Sequence, residues 1–237
     1  MASPEGLRVR PGRRAVAVGT FDGVHLGHAR VIAGCDTVLT FDPHPRSVLG
    51  SGGAPRLLTD AAGRRRRLAA LGVREVVVIP FDRAWAALAP AAFVDEVLVR
   101  RLGSYAVSVG ADFRFGARGL GEARTLQEDP RFVTTVTPLM TVDGGVVSSS
   151  RVRGLVAAGD VEQAARLLGR PHALPARGLR DGRLVIDSAF AIPCPGRYAA
   201  TVGGEATRVT VCDDGLLEPE RRRVVTGVVE VSFLGRI

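Results

Sequence analysis

Four short apolar runs, each nearly unbroken by polar residues, limit what this chain can become: Arg14 to Gly19, Thr37 to Phe41, Glu75 to Pro80 and Tyr105 to Gly110. Runs rich in Val and Ile, without in–out alternation, are how strands read when both faces of a sheet are buried, the situation of parallel strands. Parallel strands need crossovers, and helical segments lie between and after them. These are His25 to Ala33, Ala61 to Leu71, Pro90 to Leu102, Ser149 to Ala158, and Val161 to Leu168 with Asp160 placed to cap it. The alternation predicts a doubly wound α/β domain.

The texture changes at Gly169-Arg170-Pro171-His172. Beyond it the chain reads as Pro- and Gly-punctuated strands at Arg183 to Ile186, Arg197 to Val202, Thr207 to Cys212 and Val224 to Phe233, with no helical pattern among them. The expected organisation is an α/β domain over residues 1–172 and a small β domain, a partial barrel, over 173–237. A unit of about 60 residues is marginal alone, so it is expected to pack against the first.

Charge and composition exclude several classes. No apolar run reaches the roughly 18–20 residues of a membrane span, and the Arg-bearing N-terminus lacks a secretory apolar core. Cys35, Cys194 and Cys212 are scattered without metal spacing, which points to a reduced, cytoplasmic setting and to no metal site. The formal charge of +8 raises nucleic acid as a partner, yet every basic residue besides His is Arg. With no Lys, a lysine-dependent phosphate loop is excluded. The densest run, Arg64 to Arg67, falls on a helix, where four consecutive residues point around most of the circumference rather than along one stripe. Aromatic content of 5% offers little for stacking on bases, so specific nucleic-acid binding is not expected.

The chemistry-bearing residues sit where the predicted strands end. In an open α/β sheet, ligands bind beyond the carboxyl ends of strands, where helix N-termini aim free N–H groups at anions. After the first run comes the turn Gly19-Thr20-Phe21-Asp22-Gly23, then His25-Leu26-Gly27-His28. Two imidazoles three residues apart share a helix face and are able to reach one phosphate chain, although such a pair alone is as readily structural or a casual metal site. Thr40 to Pro45, carrying His44, leaves the second run and is held extended by two prolines. Pro80-Phe81-Asp82 leaves the third. Gly110 to Gly116 leaves the fourth with Asp112, Phe113, Arg114 and Phe115, whose rings suit a core, a stacking platform, or both. Ser148-Ser149-Ser150-Arg151-Val152-Arg153 opens a helix with hydroxyls followed by Arg, an ordinary cap that is equally a polyphosphate cradle.

These segments, in this order over about the first 175 residues, resemble the prokaryotic FAD synthetase family of bifunctional riboflavin kinase/FMN adenylyltransferases. The resemblance implies a Rossmann-like nucleotidyltransferase domain. It also implies transfer of the AMP moiety of ATP to FMN, giving FAD and pyrophosphate, with Mg²⁺ present. By the same resemblance His25, His28 and Arg153 are the catalytic group. Gly19, Thr20, Phe21, Asp22, Gly23, Ser148, Ser149, Ser150 and Arg151 bind ATP and its phosphates, and Thr40, His44, Asp112, Phe113, Arg114 and Phe115 shape the flavin site.

The sequence departs from the family pattern in three places. The helix after His28 is short, with Ala29 to Gly34 leaving about two turns. Ser148-Ser149-Ser150 replaces Ser-Ser-Thr, and Asp112 stands where Asn is often found, adding negative charge near an anionic substrate. The C-terminal region lacks the family's Pro-Thr-Ala-Asn element and a recognisable acidic base, so it resembles a kinase barrel reduced to a remnant. Two other readings stay open: a nucleotidyltransferase for another phosphorylated acceptor, such as a modified flavin or pantetheine phosphate, and a non-catalytic flavin- or nucleotide-binding regulator.

Overall fold

A computed structural model describes residues 9, 11–50, 53–221 and 224–237. The chain runs β1 (Arg14–Val18), α1 (Leu26–Ile32), β2 (Thr37–Asp42), α2 (Pro45–Leu49), α3 (Ala61–Ala70), β3 (Glu75–Pro80), α4 (Arg83–Ala86) and α5 (Pro90–Ala92). The last continues as π-type turns over Phe93–Arg101. There follow β4 (Ser104–Gly110), the hairpin β5 (Arg114–Phe115) and β6 (Gly121–Glu122), α6 (Ala123–Gln127) and β7 (Val133–Thr137). A second hairpin, β8 (Thr141–Val142) and β9 (Gly145–Val146), leads to α7 (Ser149–Ala158) and α8 (Val161–Leu168). The C-terminal strands are β10 (His172–Gly178), β11 (Leu184–Val185), β12 (Gly196–Val202), β13 (Glu205–Val211), β14 (Leu216–Pro219) and β15 (Val228–Arg236).

These elements gather into two compact units. The first takes in Met1–Phe21, Gly27–Pro55 and Arg65–Leu139; the second takes in Asp22–Leu26, Arg56–Arg64 and Met140–Ile237.

The first unit is built on a five-stranded parallel sheet of order β3-β2-β1-β4-β7. β1 lies at its centre with every residue buried, which is why its sequence shows no alternation. Strand order reverses between β1 and β4, so the crevice beyond their carboxyl ends is the topological switch point of a doubly wound fold. The core packs Val16, Leu39, Ile79, Leu98 and Val109 against Trp85, Phe93 and Phe115. β7 has the sequence Val-Thr-Thr-Val-Thr and no buried residue. As an edge strand it carries no continuous apolar run, and so no strand was expected there. At the opposite end of β1, buried Arg14 bonds Glu75 at 2.9 Å and the Leu102 carbonyl at 2.9 Å.

In the second unit α7 and α8 follow their sequence signals closely. The Ser148 hydroxyl caps α7 by accepting from Arg151 N at 3.2 Å, and the Asp160 carboxylate caps α8 by accepting from Gln163 N at 2.9 Å. Buried residues at Val161, Ala164, Leu167 and Leu168 give α8 an apolar face of helical period. Six antiparallel strands then form a closed barrel, β10-β11-β14-β13-β12-β15. The expected small β domain is present, but its ring is complete rather than partial, because β15 pairs with β10 on one side and β12 on the other. β10 and β14 belong to no strand read from the sequence. Proline at Pro175 and Pro219 and the shortness of β14 disguise them. The barrel is filled by Leu174, Tyr198, Val209, Leu217, Val231 and Phe233, with Val161 of α8 in the same cluster. Buried Tyr198 satisfies its hydroxyl by donating to the Cys194 carbonyl at 2.7 Å.

Candidate active site

In the second unit, several residues singled out in the sequence converge on one turn. Asp22 is buried, with 2% of its surface exposed. Its carboxylate accepts from Leu58 N, with both oxygens at 3.1 Å, and from Arg153 Nη2 at 2.6 Å. Arg153 also donates from Nε to the Arg56 carbonyl at 2.6 Å. Ser149, the first residue of α7, donates its hydroxyl proton to the Asp22 carbonyl at 2.9 Å. One side chain and one backbone carbonyl of the same residue thus tie the turn to the start of α7. Ser150 is exposed on the first turn of that helix. Arg151 donates to the Val142 and Gly145 carbonyls at 2.8 and 2.6 Å, bracing the β8–β9 hairpin.

Gly23 has φ of 80°, and a Cβ placed there would lie 2.8 Å from Leu58 Cδ1. Only glycine meets both conditions at low cost. Val24 follows with φ of 43°. Next comes His25, 5% exposed, at the start of the chain's entry into α1. Burial, and then the positive charges of Arg170 and Arg153, lower its pKa to about 4. At neutral pH His25 is therefore an uncharged imidazole. Arg170 donates to the Val24 carbonyl at 3.1 Å, to the Leu168 carbonyl at 3.0 Å, and through Nη2 to the Gly23 carbonyl.

In the first unit, the residues expected around the flavin and at the phosphate turn stand at the ends of β1, β2 and β4. Gly19 N donates to the Leu39 carbonyl at 3.1 Å, and the Thr40 hydroxyl to the Thr20 carbonyl at 3.0 Å, so the loop beyond β1 is fastened to the end of β2. Phe21, fully buried with φ of 49°, meets His28 of α1 edge to face with ring centroids 5.2 Å apart. His44 caps α2, its Nδ1 accepting from Arg46 N at 3.1 Å. Asp112 is exposed beyond β4. Phe113 stacks on Phe115 with centroids 5.6 Å apart; Phe115 is buried in the core and Phe113 half-buried at its rim. Arg114 pairs with Glu122 across the β5–β6 hairpin.

Three participants carried no recognised functional signal in the sequence: the backbone groups of Arg56 and Leu58, and the side chain of Arg170. A cation directly after the glycine that ends α8 was the available hint for Arg170.

A family model described as FAD synthetase matches residues 8–151. The chain is 31% identical over 235 residues to a bifunctional riboflavin kinase/FMN adenylyltransferase of Bacillus subtilis, covering 88% of this chain and 74% of that protein. It is 34% identical over 175 residues to the protein so described in Escherichia coli K12, covering 68% of this chain and 56% of that one. In fold it resembles a solved structure titled as a macrolide-efflux protein from Streptococcus pneumoniae, with a TM-score of 0.87 at 22% identity over 100% of this chain and 89% of that one. The ordered motifs, the parallel sheet with its switch point at β1 and these relatives agree: the chain belongs to the FAD synthetase family, a family of nucleotidyltransferases.

Proposed function

We propose that this protein is an FMN adenylyltransferase that makes FAD and pyrophosphate from FMN and ATP. The observation that carries the reading is the Asp22–Arg153 pair, which with Ser149 fixes the turn leading into His25 beside the N-terminus of α7. The reaction joins a phosphate oxygen of FMN to the α-phosphorus of ATP and breaks the bond to the β-phosphate. The protein has two anions to position and growing charge to stabilise, and little covalent work to do.

The residue roles follow from that task. The N–H groups at the start of α7, with the hydroxyls of Ser148 and Ser150, hold the β- and γ-phosphates, while Ser149, whose one hydroxyl proton goes to the Asp22 carbonyl, fixes the turn beside them. Arg153 is the phosphate partner rather than Arg151. Its two bonds use Nε and Nη2 and leave Nη1 for an anion, whereas Arg151 is spent on the hairpin. His25 contacts the phosphates, and His28, three residues on, serves the leaving pyrophosphate. Gly19 to Gly23 form the backbone wall of the nucleotide site. Thr40, His44 and Asp112 to Phe115 serve the flavin, with Phe113 offering a ring face and Phe115 supporting it from the core. Among the described residues no three His, Cys, Asp or Glu side chains gather as a metal cage, and the Asp22 carboxylate is already engaged. Mg²⁺ in this reading comes with ATP as MgATP, neutralising the polyphosphate.

The adenylyltransferase domain is taken as residues 1–172 and the barrel domain as 173–237, the latter without riboflavin kinase activity. Among the described residues no helix is long and apolar enough to cross a membrane, and Cys35, Cys194 and Cys212 are free; the proposed setting, a cytoplasmic enzyme working on small molecules, is that expected from the sequence. Incubation with ATP, Mg²⁺ and FMN, followed by chromatography, should yield FAD and pyrophosphate. No FAD above a no-enzyme control refutes the reading, and turnover of a different phosphorylated acceptor instead of FMN moves the assignment to that acceptor.

A further inference from the structure

We propose that Arg170 is a positioning residue for catalysis: it clamps the Gly23–Val24 turn in its left-handed conformation and so determines where His25 stands. This rests on the reading of His25 as a phosphate-contacting group.

The turn needs such a clamp. Gly23 and Val24 are consecutive residues at φ of 80° and 43°. Glycine adopts that region freely, but valine, branched at Cβ, does so only where its surroundings over-determine it. Left to itself, Val24 would relax to a right-handed or extended conformation and swing His25 with it, because the backbone torsions of Val24 aim the next residue.

What over-determines the turn is the Arg170 guanidinium. Its Nη1 donates to the Val24 carbonyl at 3.1 Å, and its Nη2 donates to the Gly23 carbonyl. One rigid fork thus holds two successive carbonyls of the left-handed turn at once. The same Nη1 donates to Leu168 at 3.0 Å, a carbonyl of the last turn of α8, where partial negative charge collects and favours a cation. Gly169, at φ of 73°, brings Arg170 back beneath that helix end. The side chains repeat the link: Leu168 Cδ2 lies 3.5 Å from the position of a Cβ on Gly23, and Leu26 Cδ2 lies 2.7 Å from one on Gly169. α8 is thereby the anchor, Arg170 the tie, and the turn the load. The charge of Arg170 also helps to keep His25 neutral, second to burial in that effect.

The test uses the full-length chain with R170M, R170K, V24G and the double variant R170M/V24G. Steady-state FAD formation is measured together with amide hydrogen exchange. Met fills the volume of the arginine stem but bonds no carbonyl, so kcat is expected to fall at least tenfold with KM for ATP changed less than threefold. Exchange at Gly23 to Leu26 should quicken at least tenfold while Val16 to Val18 and Val209 to Val211 keep wild-type protection, showing that the fold persists. Lysine, able to reach one carbonyl, should recover part of kcat. V24G, which removes the penalty that the clamp offsets, should raise kcat at least threefold in the R170M background and not when Arg170 is present. The proposal is overturned if R170M leaves both kcat and exchange at 23–26 unchanged. It is equally overturned if R170M raises KM for ATP tenfold with kcat intact, since Arg170 would then touch substrate. Should the wild-type protein make no FAD while R170M still loosens residues 23–26, the clamp stands and the adenylyltransferase reading falls.

Discussion

Oδ2 of Asp22 lies 2.6 Å from Nη2 of Arg153, a pair drawn from positions 131 residues apart, with side chains only 3% and 16% exposed. Pairs this dry behave differently from surface ion pairs. Removing one partner strands the other charge away from water, while the intact pair restrains geometry more than it adds stability.

Arg153→Ala should accordingly destabilise the protein by about 3–5 kcal/mol, the usual cost of breaking a buried pair, and raise KM for ATP. Asp22→Asn should be milder, since an amide oxygen still accepts from Leu58 N and Arg153. Denaturant unfolding of both variants checks the order. An Arg153→Ala protein as stable as wild type would show that the pair is not dry in solution.

Gly23→Ala should cost roughly 2 kcal/mol or more, combining a left-handed φ with overpacking, because the new Cβ would lie 2.8 Å from Leu58 Cδ1. The strain is shared with one neighbour, so the loss in the Gly23→Ala/Leu58→Ala double variant should be smaller than the sum of the single losses. Additive losses would mean that the clash is not the cause.

His25 sets a pH dependence of definite sign. Its folded pKa of about 4 lies below the ordinary value of 6.5. Between those values the unfolded chain holds a proton that the folded chain does not. Its contribution is therefore fully present above pH 6.5, and falls away by about 3 kcal/mol as the pH drops to 4. Unfolding of wild type against His25→Gln between pH 4 and 7 isolates the effect. A wild-type slope no steeper than that of the variant counts against it. In catalysis, His25→Ala and His28→Ala should each lower kcat by about 10²–10³, the loss of one preorganised donor. If His25 is the titrating group, the acid limb of the rate profile should lie nearer pH 4 than 6.5.

Riboflavin with ATP should give no FMN. Phosphorylating a ribityl hydroxyl needs a metal–nucleotide clamp and a base, and the C-terminal sequence carries no Thr/Asn clamp. Of its carboxylates, Glu220 is half-exposed and 3.4 Å from Arg208. The barrel does hold a cavity of about 440 Å³ near Val202, Thr207, Arg221 and Val229, so the assay has a concrete way to fail. FMN appearing at a rate proportional to enzyme would show that the barrel phosphorylates riboflavin.

The amino-acid sequence alone determined whatever depends on neighbours along the chain. Continuous Val and Ile marked β1 to β4; in β1 burial on both faces removes the need for polar residues, whereas β3, at the sheet edge, keeps its apolar run although only Val77 and Ile79 are buried. Ser148 and Asp160 marked the starts of α7 and α8, because a cap satisfies its own helix's N–H groups. The ordered motifs marked the family for the same reason, since each is a local turn with local chemistry. β7 and β10 escaped, one because an edge strand tolerates threonine, the other because a strand that closes a ring is defined by its partners rather than by its own pattern. The site divides along the same line. His25, Ser149 and Arg153 were legible as types in a suggestive order. That Asp22 takes Arg153 and Leu58 N, that Arg151 braces a hairpin instead, that Arg170 grips two carbonyls, and that His25 is buried and neutral were decided only by folding. Hydrogen-bond partners and desolvation depend on which distant groups tertiary packing brings within 3 Å, and no periodicity in the sequence records that distance.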